Sequence, residues 1–549
     1  MAEQRKILVT SALPYANGSI HIGHLVEYLQ TDIWVRYMRG RGHDCLYFCA
    51  DDAHGAPIML RAESEGITPE QLVARIGEEH RADFADFGIE FSNYHTTHSE
   101  ENRLLAEDIY QRLQQAGNIK EYPVTQAYDG EKGMFLADRY IRGGCPRCHA
   151  EDQYGDNCER CGATYGAMEL INPRSVLTGS VPETRESLHH FFHLQDFQDY
   201  LAEWTRAGHL DEQVSNKIQE WFEGGLRDWD ISRDPPYFGF RIPGTDDKFF
   251  YVWLDAPIGY LASYWNWLKQ QRGEVTLEQL RTQWAAREIH HFIGKDILYF
   301  HALFWPAMLH GADYGTPERV NVHGFLMVNG EKMSKSRGTF IQARTYLDHL
   351  NPEYLRYYFA AKLGSGVEDL DLNLDDFVQK VNSDLVGKVV NIASRSAGYI
   401  VKKMQGELAT TLHNPGLYAE FVEAGEQIGI AYEAREYSKV CRLVMALADR
   451  ANLYLAELAP WSLAKQEGNE EQVSAIYSQA INLFRVLVTY LTPILPKLAE
   501  DSQEFLGLQQ LDWAEISAPL LGHRINRFKP LMQRVDPEAV AQMVAATRD

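Results

Sequence analysis

The chain has 549 residues, of which 45% are hydrophobic and 23% charged, a balance that excludes a disordered chain and a membrane-embedded one. A chain of this length is expected to form roughly three or four compact units, because one hydrophobic core stops growing at about 250–300 residues. The formal net charge of −23 excludes non-specific binding to a polyanion, so a nucleic acid would have to be held by local basic patches.

The N-terminal residues run directly into an apolar segment at 7–9 and carry no secretory signal. No segment approaches the roughly 20 apolar residues of a membrane span. We therefore expect a cytoplasmic protein without a membrane partner.

The first fifty residues predict a strand, a loop, a helix and a second strand. Residues 7–9 are apolar, residues 11–19 contain Gly, Pro and Asn, and Leu25, Leu29 and Ile33 recur every four residues. Another apolar run, at 45–50, follows Gly40 and Gly42. This order is typical of a βαβ unit of a nucleotide-binding parallel sheet.

The pattern changes at about residues 115–224, where turns, mixed strands and a group of cysteines occur. Strand-like segments return at residues 248–253 and 290–293. The sequence therefore predicts a domain inserted into the sheet.

The last third of the chain predicts a helix bundle. Strand signals fade after residue 374, and apolar residues recur at spacings of three or four, as on one helix face. This series consists of Phe377, Val381, Leu385, Val389 and Ile392. Further helices are predicted at 437–458 and 472–495, and residues 406–415 form a loop between helices.

Residues 21–24 read H-I-G-H and lie where the first strand gives way to the first helix. Free backbone N–H groups and the helix dipole favour phosphate at such a position. Gly23 has no side chain, so a flat adenine could lie against the backbone. A metal pair or ordinary helix-start residues are the alternatives for His21 and His24.

Residues 332–336 read K-M-S-K-S, between Gly330 and Gly338. A lone pair of lysines usually belongs to a solvated loop. In this order, and flanking an inserted domain, the two motifs resemble the paired ATP-binding motifs of class I aminoacyl-tRNA synthetases.

Three further segments resemble the methionyl-tRNA synthetases: A-L-P-Y-A-N-G at 12–18, Y-V-W-L-D-A-P-I-G-Y at 251–260, and H-F-I-G-K-D-I at 291–297 with Phe300 and His301. The resemblance implies a methionine site formed by Leu13, Tyr15, Asp52, Trp253, Ala256, Pro257, Tyr260, Ile297 and His301. In it Tyr15 closes over the pocket and Asp52 meets the α-ammonium. It also implies catalytic roles for His21, His24, Lys332 and Lys335, and ATP binding by Tyr15, Gly23, His24, Lys295 and Lys335.

The residue types suit this substrate. Aromatic walls offer a thioether sulfur–aromatic contacts of about 0.3–1.5 kcal/mol each. A cationic amino group requires a carboxylate, and Asp52 follows a strand at the edge where open α/β sheets bind ligands. Core packing is the alternative for any single aromatic residue.

Four cysteines form two C-x2-C pairs, a spacing that brings four thiolates within reach of one Zn²⁺. They are Cys145, Cys148, Cys158 and Cys161. With four thiolate ligands the zinc would be structural and would hold a small insertion that has little core of its own. A reduced, metal-free cluster is the alternative. Cys45, Cys49 and Cys441 lie in apolar runs and are predicted to be buried.

Asn391 and Arg395 are four residues apart and therefore project from one helix face, and Trp461 follows Pro460 at the end of another helix. The resemblance implies that these three residues read the anticodon. Trp stacks on unpaired bases, and Arg and Asn bond base edges. A surface polar pair and a helix end are the alternatives. Gly387 stands where relatives are expected to have Asn, which puts one backbone contact in doubt.

Residues 523–529 resemble the family's C-terminal linker, which packs back on the catalytic core. Arg527 stands where proline is expected, so this docking is predicted to be looser. Nothing after Asp549 resembles a dimerisation domain, and we expect a monomer.

Together these patterns predict an α/β fold: a Rossmann-type parallel-sheet catalytic domain with an inserted zinc-binding connective domain and a C-terminal α-helical bundle. The expected bounds are 1–115 and 231–325 for the two halves of the catalytic domain, 116–230 for the insertion, 326–387 for the domain with the K-M-S-K-S loop, and 388–549 for the bundle.

The implied reaction activates L-methionine with ATP and Mg²⁺ and transfers it to the terminal adenosine of tRNA(Met), elongator and initiator, with a CAU anticodon. A cysteine-specific synthetase shares both motifs and is the main alternative, because valine, isoleucine and leucine enzymes carry a large editing domain. A catalytically dead zinc-containing tRNA-binding protein is the alternative from another class, disfavoured by the intact histidines and lysines.

Overall fold

A computed structural model of the chain describes residues 4–137, 140–155, 158, 160–163, 165–334 and 339–547. Strands and helices alternate in the first part, in the order β1 (Lys6–Ser11), α1 (Ile22–Gly40), β2 (Asp44–Asp51), α2 (Ala56–Glu65), α3 (Pro69–Asp86), β3 (Asn93–Thr96) and α4 (Glu100–Gln115). Mostly short strands follow: β4 (Ile119–Asp129), β5 (Met134–Phe135), β6 (Ile141–Gly144), β7 (Gln153–Tyr154), β8 (Ile171–Ser175), β9 (Glu183–Phe192), the helices α5 (Gln198–Trp204) and α6 (Glu212–Glu223), then β10 (Trp229–Asp230), β11 (Ser232–Arg233) and β12 (Phe249–Phe250).

Longer elements then return: α7 (Val252–Arg272), α8 (Leu277–Ala285), β13 (Glu288–Gly294), α9 (Trp305–Gly311), β14 (Arg319–His323), β15 (Leu326–Val328), β16 (Glu331–Lys332), α10 (Ala343–Leu347), α11 (Pro352–Lys362) and β17 (Leu370–Leu372). The remainder is helical: α12 (Leu374–Val381), a π-helical segment (Asn382–Val390), α13 (Asn391–Lys403), α14 (Pro415–Glu433), α15 (Tyr437–Leu458), α16 (Pro460–Leu463), α17 (Glu470–Leu491), α18 (Pro496–Leu506) and α19 (Pro537–Ala546).

The central sheet has five parallel strands in the order β14–β13–β1–β2–β3. When these five strands are numbered 1 to 5 in chain order and read from the β3 edge, their order is 3-2-1-4-5. This is the order of a Rossmann-type sheet, with its switch point between β1 and β13. Helices cover both faces of the sheet, so β1 is buried from Ile7 to Ser11, and its apolar residues Ile7, Leu8 and Val9 are fully buried. The predicted parallel α/β sheet is confirmed.

The segment between α4 and α7 forms separate sheets. Strands β10, β9, β4 and β5 make an antiparallel sheet, and β7, β6 and β8 make another that adjoins the cysteines. Because β3 and β13 belong to the central sheet, this segment is an insertion between them. The residue bounds predicted for each domain stay a prediction.

Two predicted elements differ from the structure. Residues 248–253 contain just the short strand β12, and Trp253 lies in the first turn of α7, because the apolar run continues into a helix that is buried on most sides. The predicted helix at 472–495 ends at Leu491, two residues before Pro493, which lacks the N–H that a helix needs.

The helix bundle is joined to the sheet domain through a buried ion pair. Arg356 of α11 lies 2.6 Å from Asp32 of α1, and its guanidinium also donates to the carbonyl of Ile494 in the bundle at 2.7 Å. Removing one partner of such a pair costs more than the pair contributes, because the other charge stays buried. The bundle is therefore held in a defined position against α1.

The C-terminal segment returns along the bundle to the sheet domain. The amide of Asn382 bonds both backbone groups of Val535, and the Tyr354 hydroxyl donates to the carbonyl of Gln533 at 3.1 Å. Helix α19 then packs against α10 and α12. Among the residues that the structure describes, none of the helices is long and apolar enough to span a membrane.

Candidate active site, metal centre and nucleic-acid surface

A cavity of about 590 Å³ opens at the carboxyl ends of β1 and β13, the switch point of the sheet. Open α/β sheets bind ligands at this point, because neighbouring loops diverge there. The structure brings the following predicted site residues together in its lining: Leu13, Tyr15, His21, Gly23, His24, Asp52, Trp253, Ala256, Pro257, Tyr260, Ile297, His301 and Lys332.

The two histidines of the first motif cap helix α1. The Nδ1 atom of His21 accepts from the backbone N–H groups of Gly23, at 3.1 Å, and His24, at 3.3 Å. In return, the Nδ1 atom of His24 accepts from the backbone N–H of His21 at 3.3 Å. This reciprocal pattern is a capping box made with imidazoles, which explains why the helix begins at Ile22.

The capping pattern also fixes the tautomer of both rings. Since each Nδ1 accepts a hydrogen bond, each neutral ring carries its proton on Nε2. Burial lowers the pKa of His21 to about 4 and that of His24 to about 3, so both rings are neutral at physiological pH. Each histidine therefore has an N–H donor to offer a phosphate oxygen, and no formal charge.

The two motifs meet at Gly23. A Cβ at this position would overlap the Cε atom of Met333 and would lie 2.9 Å from His21 Nδ1. A side chain here would therefore displace the end of the Met333 side chain from its place against the first motif.

Asp52 is a buried carboxylate without a partner for one oxygen. It follows β2 and extends the sheet by one bridge to Tyr15, and its Oδ1 atom has no hydrogen-bond partner among the described residues. Burial, with the nearby Asp255 carboxyl, raises the pKa of Asp52 well above its ordinary value. An unpaired buried carboxylate is costly, and a cationic ligand in the cavity would relieve that cost.

The opposite wall of the cavity is aromatic and its polar atoms are mutually satisfied. Trp253 stacks on Phe300 with ring centroids 4.1 Å apart. His301 Nδ1 lies 3.1 Å from the carbonyl of Ile297 and must donate, so its Nε2 accepts from the Tyr260 hydroxyl at 2.9 Å. Burial lowers the pKa of His301 to about 4. The wall therefore presents an uncharged surface that suits a thioether.

The predicted lysines lie in different surroundings. Lys332 ends β16 and lines the cavity, whereas the ammonium of Lys295 lies 2.6 Å from the carboxylate of Asp369, which is itself a lining residue. Lys335 lies outside the described residues. The role of Lys295 towards ATP stays a prediction.

The cavity also has acidic lining residues that the sequence did not single out: Glu27, Asp296 and Asp369. Glu27 accepts from the backbone N–H of Ala12 and contacts His323 Nε2 at 3.2 Å. The sequence could have indicated Glu27 as a site residue, because it lies one helical turn after His24 on the same face of α1. His323 gave no such signal, because a histidine at the end of β14 is also typical of a core.

The four predicted cysteines form a compact group. Their sulfur atoms all lie within 4.8 Å of one another, with Cys145 and Cys161 at 3.8 Å and Cys148 and Cys158 at 3.5 Å. A tetrahedral site with Zn–S bonds of about 2.3 Å has sulfur–sulfur separations of about 3.8 Å. The backbone N–H groups of Cys148 and Cys161 point at Cys145 Sγ and Cys158 Sγ, both at 3.4 Å. The group fits one tetrahedral metal ion.

On the bundle, the structure brings Arg395 and Trp461 into contact. The guanidinium of Arg395 lies over the exposed Trp461 ring, 4.6 Å from its centroid, and Asn391 lies one turn earlier on α13. An exposed ring beside a cation is an arrangement typical of single-stranded nucleic-acid binding.

These features define a class I tRNA synthetase, and the comparisons agree. Residues 7–397 match the family model described as tRNA synthetases class I (M), which covers most of the chain. The chain belongs to this family. Residues 409–541 match the anticodon-binding domain of methionyl tRNA ligase, so the chain is an ATP-dependent ligase that activates methionine and charges tRNA(Met).

Solved structures of the Mycobacterium tuberculosis methionyl-tRNA synthetase have the same fold. One, bound by methionyl-adenylate, is 22% identical with a TM-score of 0.79 and covers 96% of this chain and 100% of that one. A second complex with methionyl-adenylate is 24% identical with a TM-score of 0.80, covering 97% and 100%. The apo form is 22% identical with a TM-score of 0.73, covering 97% and 99%.

Proposed function

We propose that the 590 Å³ cavity is where methionine and ATP form methionyl-adenylate, which is then transferred to the terminal adenosine of elongator and initiator tRNA(Met). The unpaired Oδ1 atom of Asp52, set beside the aromatic, uncharged wall of the cavity and near both motifs, carries this proposal. An amino acid with a cationic amino group and an apolar side chain satisfies both features at once.

In this arrangement the α-ammonium binds Asp52, and Leu13, Trp253, Tyr260 and His301 enclose the side chain. Because His301 is neutral and already bonded to Tyr260, no charge faces the sulfur. A longer or charged side chain would leave polar groups unpaired against the aromatic wall, which opposes its binding.

The methionine carboxylate attacks the α-phosphate of ATP and expels pyrophosphate. His21 and His24 donate from Nε2 to phosphate oxygens, and Lys332 and Lys335 supply positive charge as charge moves to the leaving group. Mg²⁺ bound with ATP offsets part of the phosphate charge. None of these groups has to form a covalent intermediate.

A second cavity, of about 1080 Å³, lies beyond Tyr15 and shares Asp52 and Trp253 with the first. Polar side chains from the insertion side, Gln126 and Asp230 among them, line it. We assign this space to the 3′ end of the tRNA, whose terminal hydroxyl attacks the adenylate. Tyr15 then separates the adenylate from the approaching adenosine.

Asn391, Arg395 and Trp461 are proposed to read the CAU anticodon. The Trp461 ring offers one unpaired base a stacking surface of about 1–3 kcal/mol, and the polar pair on α13 bonds base edges. The anticodon and the acceptor end then bind at the same time, because the buried Arg356 pair holds the bundle against α1.

The four-cysteine group is proposed to hold one structural Zn²⁺. The sulfur separations support this ion, and four thiolates leave no position for substrate. The cytoplasm is the expected compartment, since thiolate ligands and a tRNA substrate both suit a reducing environment. A monomer is the expected state of the chain.

Two substitutions test whether separate residues act on the phosphates and bind the methionine side chain. Lys335→Ala should slow methionine-dependent ATP–pyrophosphate exchange about 100-fold or more with nearly the same KM for methionine, because this lysine acts on phosphate. Trp253→Ala should raise the methionine KM more than it lowers kcat. Full exchange activity in Lys335→Ala would overturn the role of the second motif.

A further inference from the structure

Asn452 of α15 contacts Asn391, one of the residues proposed to read the anticodon. The Nδ2 of Asn391 donates to the Oδ1 of Asn452 at 3.3 Å. Both side chains are partly exposed, so the pair lies at the edge of the surface on which a base would bind.

The amide of Asn452 has one orientation. Its Nδ2 donates to the carbonyls of Lys388, at 3.1 Å, and Ala448, at 2.8 Å. Backbone carbonyls only accept hydrogen bonds, and a rotated amide would set its own oxygen against both of them. The Oδ1 atom of Asn452 is therefore fixed towards Asn391.

This orientation determines what Asn391 presents to a ligand. Its NH₂ group must face the Asn452 oxygen, so its own Oδ1 faces away, and no described residue donates a hydrogen bond to that oxygen. Arg395, one turn later on α13, lies over the Trp461 ring. The surface thus combines a stacking ring, a cation and an acceptor of defined direction.

We propose that Asn452 is a positioning residue that makes Asn391 a hydrogen-bond acceptor and thereby selects an anticodon base with an amino group at C4 of a pyrimidine or C6 of a purine. Cytosine and adenine carry an amine at this position, whereas uracil and guanine carry an oxygen there and the amine of guanine is at C2. An oxygen opposite the Asn391 oxygen would leave two acceptors unpaired, which opposes binding. This inference rests on the proposed anticodon role of Asn391.

The test uses three tRNA(Met) transcripts that differ in the anticodon: CAU, UAU and CGU. Each altered transcript replaces one amine by an oxygen. In Asn452→Ala the amide of Asn391 can turn, and the kcat/KM preference for CAU over one altered transcript should fall about tenfold. The transcript affected identifies the base. Asn452→Leu, which has the same number of side-chain heavy atoms and the same branching as Asn, repeats the test without a cavity.

Two controls separate positioning from folding. ATP–pyrophosphate exchange should stay normal in both variants, and Asn469→Ala, which removes an exposed amide bonded to Gln466 on the same bundle, should keep the full preference for CAU. Adding Asn391→Asp to Asn452→Ala should restore the preference, because a carboxylate accepts in either orientation.

An unchanged preference in Asn452→Ala and Asn452→Leu, or equal loss with all three transcripts, would overturn the positioning role. Failure of the proposed function looks different: Asn391→Ala would then charge the CAU transcript as well as the unaltered protein does. Loss in Asn391→Ala with no change of preference in the Asn452 variants would remove this inference alone.

Discussion

Met333 of the second motif packs directly on Gly23 of the first. A Cβ on Gly23 would overlap the Met333 Cε atom. The two motifs are far apart in the chain, and Gly23 lies in the first turn of α1 while Met333 follows β16. The absence of a side chain at Gly23 therefore leaves room for the Met333 side chain to lie against the start of α1.

Gly23→Ala should slow methionine-dependent exchange by about 10- to 100-fold, because a misplacement of about 1 Å can cost that much in rate. Thermal stability should change little, since Ala is favoured over Gly in a helix. The matched control is Gly40→Ala in the same helix, where a Cβ meets nothing within 4 Å. Equal loss of exchange in the two variants would show that the effect is not the contact with Met333.

Asp52→Asn should raise the methionine KM by about 10- to 100-fold, the effect of losing one hydrogen-bonded charge pair. The same change should stabilise the fold, and increasingly so as pH rises. A carboxyl whose pKa is raised on folding contributes stability at low pH and loses it as pH rises through the folded pKa, and Asn has no such loss.

Thermal melting of the unaltered protein and of Asp52→Asn across a pH series measures this difference in stability. Asp199→Asn, which changes an exposed carboxylate, is the control. Methionine affinity of the unaltered protein should also weaken towards acidic pH, because the ammonium competes with a proton for Asp52. A flat pH profile, or an unchanged KM in Asp52→Asn, would contradict the role of this carboxylate.

Cys158→Ala should remove about one zinc per chain, measured by metal analysis of protein prepared without chelator. Limited proteolysis should then cut the segment around β6–β8 first, because a small metal-bound unit has little core to replace the ion. Cys441→Ala, a buried cysteine outside the group, should keep its zinc. A stoichiometry near zero in the unaltered protein would reject the metal site.

Trp461→Ala should leave exchange near normal and reduce aminoacylation of tRNA(Met) by roughly 10-fold or more, as expected for a stacking contact of about 1–3 kcal/mol. Initiator and elongator tRNAs should be affected alike, since both carry CAU. Ile430→Ala, an exposed apolar residue elsewhere on the bundle, should change neither reaction. Parallel loss of exchange and aminoacylation would mean that Trp461 supports folding.

Local patterns predicted much of the fold. The apolar run of β1 and the four-residue spacing of α1 are strong signals, because a buried strand and an amphipathic helix each impose one period. The helix at 437–458 has the predicted bounds. Trp253 was placed in a strand-like run because a short apolar segment does not distinguish a strand from a buried helix.

The site residues were predictable from the sequence where their spacing along the chain indicates their chemical role. Four cysteines at this spacing have few other uses, and the structure groups them. Asn452 and His323 were beyond prediction, because their importance depends on contacts with residues 61 and 296 positions away along the chain. Tertiary packing alone makes Asn452 the residue that orients Asn391.

The most direct measurement is ATP–pyrophosphate exchange with each of the twenty amino acids in turn. The pocket of Asp52, Trp253, Tyr260 and His301 predicts rapid exchange with methionine and far weaker exchange with the others, cysteine included. Exchange with cysteine and none with methionine would contradict the central claim, and so would no exchange with any amino acid.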